Sequence, residues 1–97
     1  MKAKKNNTPQ MKEIRNKIDI IDDKLLPLMV KRSLLVEKAL GLKVRRSEIV
    51  DQKRIIEITK KISKKTKKLG GNPKLLSDLW LAIIDCFIKF EKRKFKK

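Results

Sequence analysis

An apolar series spaced by alternating fours and threes constrains this chain more than any other feature: Ile14, Ile18, Ile21, Leu25, Leu28, then Leu35, Ala39 and Leu42. That spacing keeps one face of an α-helix apolar over many turns, so the chain opens with a long helix. Thr8-Pro9 marks its start, a hydroxyl N-cap followed by proline at the first helical position. The member missing from the series is Arg32. An arginine in an apolar seam is costly unless something anionic meets it. Pro27 removes one backbone hydrogen bond in mid-helix, which predicts a kink, or else two helices broken at residue 26.

Two shorter helices follow. Ser47-Glu48-Ile49-Val50 reads as a connector. From about Asp51 to Lys68, Ile55, Ile58 and Ile62 share one face and lysine pairs the other. Gly70-Gly71 stops this helix, and Asn72-Pro73 repeats the N-cap and proline start. The third helix carries Leu76, Leu79, Trp80, Ile83, Ile84, Phe87 and Phe90 on its apolar side. No strand pattern, phosphate-binding glycine loop or internal repeat is present, so the fold class is all-α. Residues 1–8 read as a flexible basic N-terminus, 9–92 as the helical domain and 93–97 as a basic tail.

Length then bears on assembly. A first helix of some 35 residues extends ~50 Å, whereas a compact domain of this size has a radius of gyration of ~13 Å. A seam that long outruns what two shorter helices cover. An intertwined helical homodimer is the simplest remedy.

Lys and Arg number 28 against 11 Asp and Glu, a formal charge of +17, and only six of the 28 are Arg. Sequence-reading nucleic-acid binders use Arg for bidentate base contacts, and single-strand binders use exposed aromatics. Aromatics here are 4%, mostly within the apolar pattern of the third helix. The lysines therefore read as solvated faces without specific nucleic-acid recognition, with weak non-specific binding at low salt expected on charge alone. The chain has no His, which removes imidazole bases and imidazole metal ligands. Its one cysteine, Cys86, permits no intrachain disulfide and reads as a small buried apolar residue. The longest apolar run, Leu79 to Ile84, is far short of a membrane span of ~20 residues. No apolar stretch follows the basic N-terminus to make a secretion signal, so a cytoplasmic location is expected.

Charges that interrupt apolar faces are the candidates for chemistry. Lys43 lies eleven residues beyond Arg32, so on a helix the two project from one face, ~16 Å apart along the axis, and could hold a small anion between them. Asp51 and Arg54 are neighbours at the head of the second helix. Glu91 extends the line Trp80, Ile84, Phe87 and is expected to face inward. Arg15 is distant from Arg32 in its own chain, but a two-fold partner could bring it close. As ordinary surface ion pairs, such residues would be worth ~0–1 kcal/mol each.

Ile14-Arg15-Asn16-Lys17-Ile18-Asp19-Ile20-Ile21-Asp22-Asp23-Lys24-Leu25-Leu26, then Lys31-Arg32, then Lys43, closely resembles the first helix of the AroQ-type chorismate mutases. Asp51-Gln52-Lys53-Arg54 is similar to that family's Asp-x-x-Arg, and Ile83-Ile84-Asp85 with Glu91 to its closing helix. The resemblance implies an intertwined dimer of three-helix chains that rearranges chorismate to prephenate without metal or cofactor. It also implies that Arg32, and Arg15 from the partner subunit, bind substrate carboxylates. Lys43 would contact a carboxylate and the ether oxygen, Asp51 the region of the ring hydroxyl, and Arg54 would support the carboxylate cluster. Glu91 would be the second donor to the ether oxygen, a task a carboxyl performs only when protonated. Two positions depart from the pattern. Ile55 stands where many members place a glutamate that bonds the substrate hydroxyl, and Phe87 where a small polar residue is common. These keep two alternatives open: isochorismate–pyruvate lyase on the same scaffold, and a non-catalytic basic helical interaction module.

Overall fold

The computed structural model describes residues 8–96, which hold three α-helices and one 3-10 turn and, among the described residues, no strand. The helices are α1 (Pro9–Leu42), α2 (Gln52–Lys68) and α3 (Pro73–Lys94), and the 3-10 turn, Arg46–Glu48, lies between α1 and α2. Residues 1–7 of the proposed N-terminal segment 1–8, and the final lysine of the basic tail, lie outside the described residues. The chain divides into two compact units, Met1–Leu35 and Val36–Lys97.

In the first unit the N-terminus of α1 forms as its sequence dictates. Thr8 Oγ1 accepts from the Met11 amide at 3.2 Å, and the Thr8 carbonyl accepts from Lys12. Pro27 lies inside the helix without interrupting it, so the alternative of two helices broken at 26 does not occur. The expected seam is present but uncovered within this chain: Ile14, Ile18, Ile21, Leu25 and Leu28 are 50–61% exposed. Arg32, by contrast, is half-buried.

The second unit contains the buried residues. Leu40, Ile49 and Ile84 are its buried apolar side chains, joined by Thr66 and Glu91. On α1 it is Leu40 that turns inward, while Ala39 and Leu42 of the expected stripe are exposed. One helical residue is a rotation of ~100°, enough to exchange an inner position for an outer one. Asp51 precedes α2 as its N-cap rather than beginning it. The turn between α2 and α3 is a Schellman arrangement. Gly71 N–H donates to the Thr66 carbonyl and Gly70 N–H to that of Lys67, with Gly70 at φ +77°. That backbone conformation strains any residue bearing a Cβ. A Cβ at Gly71 would come within 3.0 Å of Thr66 Cγ2. Asn72 Oδ1 then accepts from Leu75 N–H at 3.0 Å, capping α3 with Pro73 in its first turn.

α3 folds back on α2 and packs along it. Phe87 and Phe90 meet edge to face with ring centroids 6.5 Å apart. Leu79, expected on the apolar face, is 48% exposed. Cys86, expected to be buried, is also exposed. It lies two residues from Ile84, ~200° around the helix, and so faces away from the buried line Ile84–Glu91.

Candidate functional site

The connector after α1 is built from its own polar groups. Lys43 N–H donates to the Leu40 carbonyl at 3.0 Å, closing the last turn of α1. Glu48 Oε1 accepts from the amides of Val44 and Arg45, at 3.1 and 2.9 Å. These two backbone donors hold the Glu48 carboxyl below the usual glutamate range, with Arg45 and Lys43 adding a smaller favourable field. Arg46 Nη1 donates to the Lys92 carbonyl at 3.0 Å, a group in the last turn of α3 with no helical partner of its own. Ile49, assigned from sequence to a connector, is 4% exposed and pins this segment to the core. The signal for it was there: two adjacent β-branched apolar residues, Ile49 and Val50, in an otherwise polar stretch.

These contacts fix where the Lys43 side chain can go. Its ammonium lies 3.5 Å from Glu91 Oε1, with the Lys43 side chain 22% and the Glu91 side chain 9% exposed. A carboxyl group so far from water is tolerable only beside a cation or a hydrogen-bond partner. Lys43 supplies that cation, from an element 48 residues away in sequence.

The other expected site residues divide by unit. Arg15 and Arg32 belong to Met1–Leu35, the former exposed and the latter half-buried. Asp51, Arg54, Ile55 and Phe87 belong with Lys43 and Glu91 to Val36–Lys97. Asp51 Oδ1 is engaged by the Arg54 backbone, accepting from its N–H at 3.0 Å, so the expected neighbour relation is a helix cap rather than an ion pair. Ile55 and Phe87 are half-buried apolar side chains. Among the described residues no group of three or more Cys, Asp or Glu could hold a metal ion. No helix there is long and apolar enough to cross a membrane. A separate open cleft of about 250 Å³ is lined by Glu37, Leu40, Gly41, Lys94, Phe95 and Lys96, without Lys43 or Glu91.

Residues 14–92 match the family model described as chorismate mutase type II. The chain belongs to that family, whose all-α fold agrees with the three helices found here. No curated protein and no solved structure gives a significant match.

Proposed function

We infer that the protein is a chorismate mutase acting in the cytoplasm, catalysing the [3,3] rearrangement of chorismate to prephenate in aromatic amino-acid biosynthesis. The observation that carries the reading is the Lys43–Glu91 pair, an ammonium and a carboxyl held 3.5 Å apart on a largely dry wall of the helical unit. The reaction needs no proton transfer, metal or redox partner. It needs the substrate's two carboxylates held so that the reacting carbons meet, and it needs stabilisation of the charge that grows on the ether oxygen as the C–O bond breaks.

In this scheme Arg32, with Arg15 from the partner subunit, grips the carboxylates, and Arg54 supports them. Lys43 donates to a carboxylate and to the ether oxygen. Glu91 donates from the other side in its protonated form, since an ionised carboxylate has no proton to give. Asp51 accepts near the ring hydroxyl. Ile55 and Phe87 provide apolar walls. The homodimer this requires is supported by the uncovered stripe Ile14–Leu28, a face that a second copy would bury.

One assay tests the reading: loss of chorismate absorbance with purified protein, followed by product identification. Prephenate is expected, and Arg32→Ala should abolish its formation. The half-buried apolar side chains of Ile55, where a glutamate that bonds the hydroxyl is common, and of Phe87, where a small polar residue is, favour isochorismate–pyruvate lyase as the second reading. Salicylate from isochorismate would establish that activity instead. Turnover of neither substrate would leave a binding module on this scaffold.

A further inference from the structure

Lys43 and Glu91 reach each other from different elements, so something has to set the distance between their backbones. Glu91 stands on α3, which packs along α2. Lys43 lies just past the end of α1, outside any helix, on a long side chain that is 22% exposed. Such a flexible stem does not by itself fix where its ammonium sits. Leu40 before it and Ile49 after it seat the segment in the core. Between those anchors Arg46 crosses to α3, where its Nη1 donates to the Lys92 carbonyl at 3.0 Å. Lys92 is the residue next to Glu91.

The Arg46 bond and the Lys43–Glu91 pair therefore close a ring. One side is the backbone from Lys43 to Arg46, the other the single peptide step from Glu91 to Lys92. The longer side is stiffened from within. The Glu48 carboxyl accepts from the Val44 and Arg45 amides, and the Glu48 and Ile49 amides donate to the Arg45 and Arg46 carbonyls at 3.0 and 3.1 Å. A displacement of Arg46 is thus passed to Lys43. The Arg46 bond also uses neither charge of the pair. An anion that draws the Lys43 ammonium away from Glu91 removes the ion pair as a tie and leaves the Arg46 bond in place.

We propose that Arg46 is a positioning residue: through the Lys92 carbonyl it holds Lys43 at working distance from Glu91 while both face the substrate's ether oxygen. The assignment rests on the mutase reading and adds to it a group that touches no substrate. Arginine suits the task, because its planar guanidinium fixes the direction of its N–H groups, whereas an ammonium rotates.

The test compares Arg46→Ala, Arg46→Lys and Lys94→Gln with the parent, using chorismate. Arg46→Ala should lower kcat about 10- to 100-fold and change KM less than about threefold, because misplacing a reacting group is felt chiefly in the transition state. Arg46→Lys, which can still donate to the carbonyl, should lie between Ala and the parent. Lys94→Gln removes the same charge and breaks the half-exposed Lys94–Glu37 pair, which also joins α1 to α3. Its kcat should stay within about twofold of the parent's. All three should keep the parent's helical circular dichroism. A readout without substrate accompanies these: Lys43→Met should lower the urea midpoint less in the Arg46→Ala background than in the parent, since the pair is already loosened there. An active parent whose Arg46→Ala variant keeps its kcat, or falls no further than Lys94→Gln, overturns the role of Arg46 and leaves the mutase reading intact. A parent that turns over no chorismate overturns that reading instead. Equal urea shifts in the two backgrounds overturn the tie itself, whatever the substrate.

Discussion

The Lys43 ammonium and the Glu91 carboxyl lie 3.5 Å apart across the connector and α3, and Glu91 is only 7% exposed. Removing one member strands the other. Breaking a fully buried pair costs about 3–5 kcal/mol, and the partial exposure of Lys43 reduces this to about 1–3 kcal/mol for Lys43→Met. The double variant Lys43→Met with Glu91→Gln should recover at least half of that loss. Urea unfolding at one fixed protein concentration measures both, since an assembling chain gains stability with concentration.

A catalytic consequence follows from the same carboxyl. If Glu91 donates to the ether oxygen, a side chain that keeps a donor there should keep turnover and one that cannot donate should lose it. Glu91→Gln should retain turnover of chorismate, while Glu91→Leu, of similar volume, should lower kcat by about 10²–10³-fold. Equal kcat in the two variants would dismiss the donor role.

Asp51 has two possible duties that substitution separates. Its Oδ1 caps α2 through Arg54 N–H, so Asp51→Ala should lose about 1 kcal/mol of stability and Asp51→Asn very little. A raised KM in the stable Asn variant would place the carboxylate on substrate; an unchanged KM would leave only the cap.

Glu48 is expected to titrate below an unstructured glutamate because the Val44 and Arg45 amides bind its ionised form. A carboxyl whose value is lowered on folding adds order that is complete above its unfolded value and lost as pH falls through the folded one. Carbon-detected NMR titration should find Glu48 more acidic than a glutamate in an unstructured peptide, with the Val44 and Arg45 amide shifts following it. Titration at the unstructured value would show the turn to be unlatched.

The uncovered α1 stripe predicts assembly. Sedimentation should give twice the mass of a single chain. Ile18→Asp with Leu25→Asp, placing charges on residues that are now about half exposed, should yield monomers with reduced helicity. A parent protein that sediments as a monomer would remove the need for a second subunit.

Local chemistry was the most legible part of the sequence. Thr8-Pro9, Asn72-Pro73 and Gly70-Gly71 each act through neighbours within a few residues, and each sits where the spacing put it. The inward turn of Glu91 was also readable, because it continues the line Trp80, Ile84, Phe87 at helical intervals. What depends on distant chain was not. Leu40 is buried instead of Ala39, because the packing of the second unit, not the spacing along α1, decides which side of the helix is covered. Cys86 faces outward despite its type, since composition alone does not say which side of α3 meets another helix. The Arg46 bond to the Lys92 carbonyl joins residues 46 apart and leaves no periodic trace.

The Lys43 amide is tied to the Leu40 carbonyl, and Leu40 is seated among buried neighbours. The ammonium's bearing is thus measured from an internal anchor only three positions upstream. Losing or gaining one residue between them would swing it by ~100°, whereas side chains there could be exchanged freely. Descendants of this sequence should accordingly accumulate replacements before Lys43 but tolerate changes of length only after it.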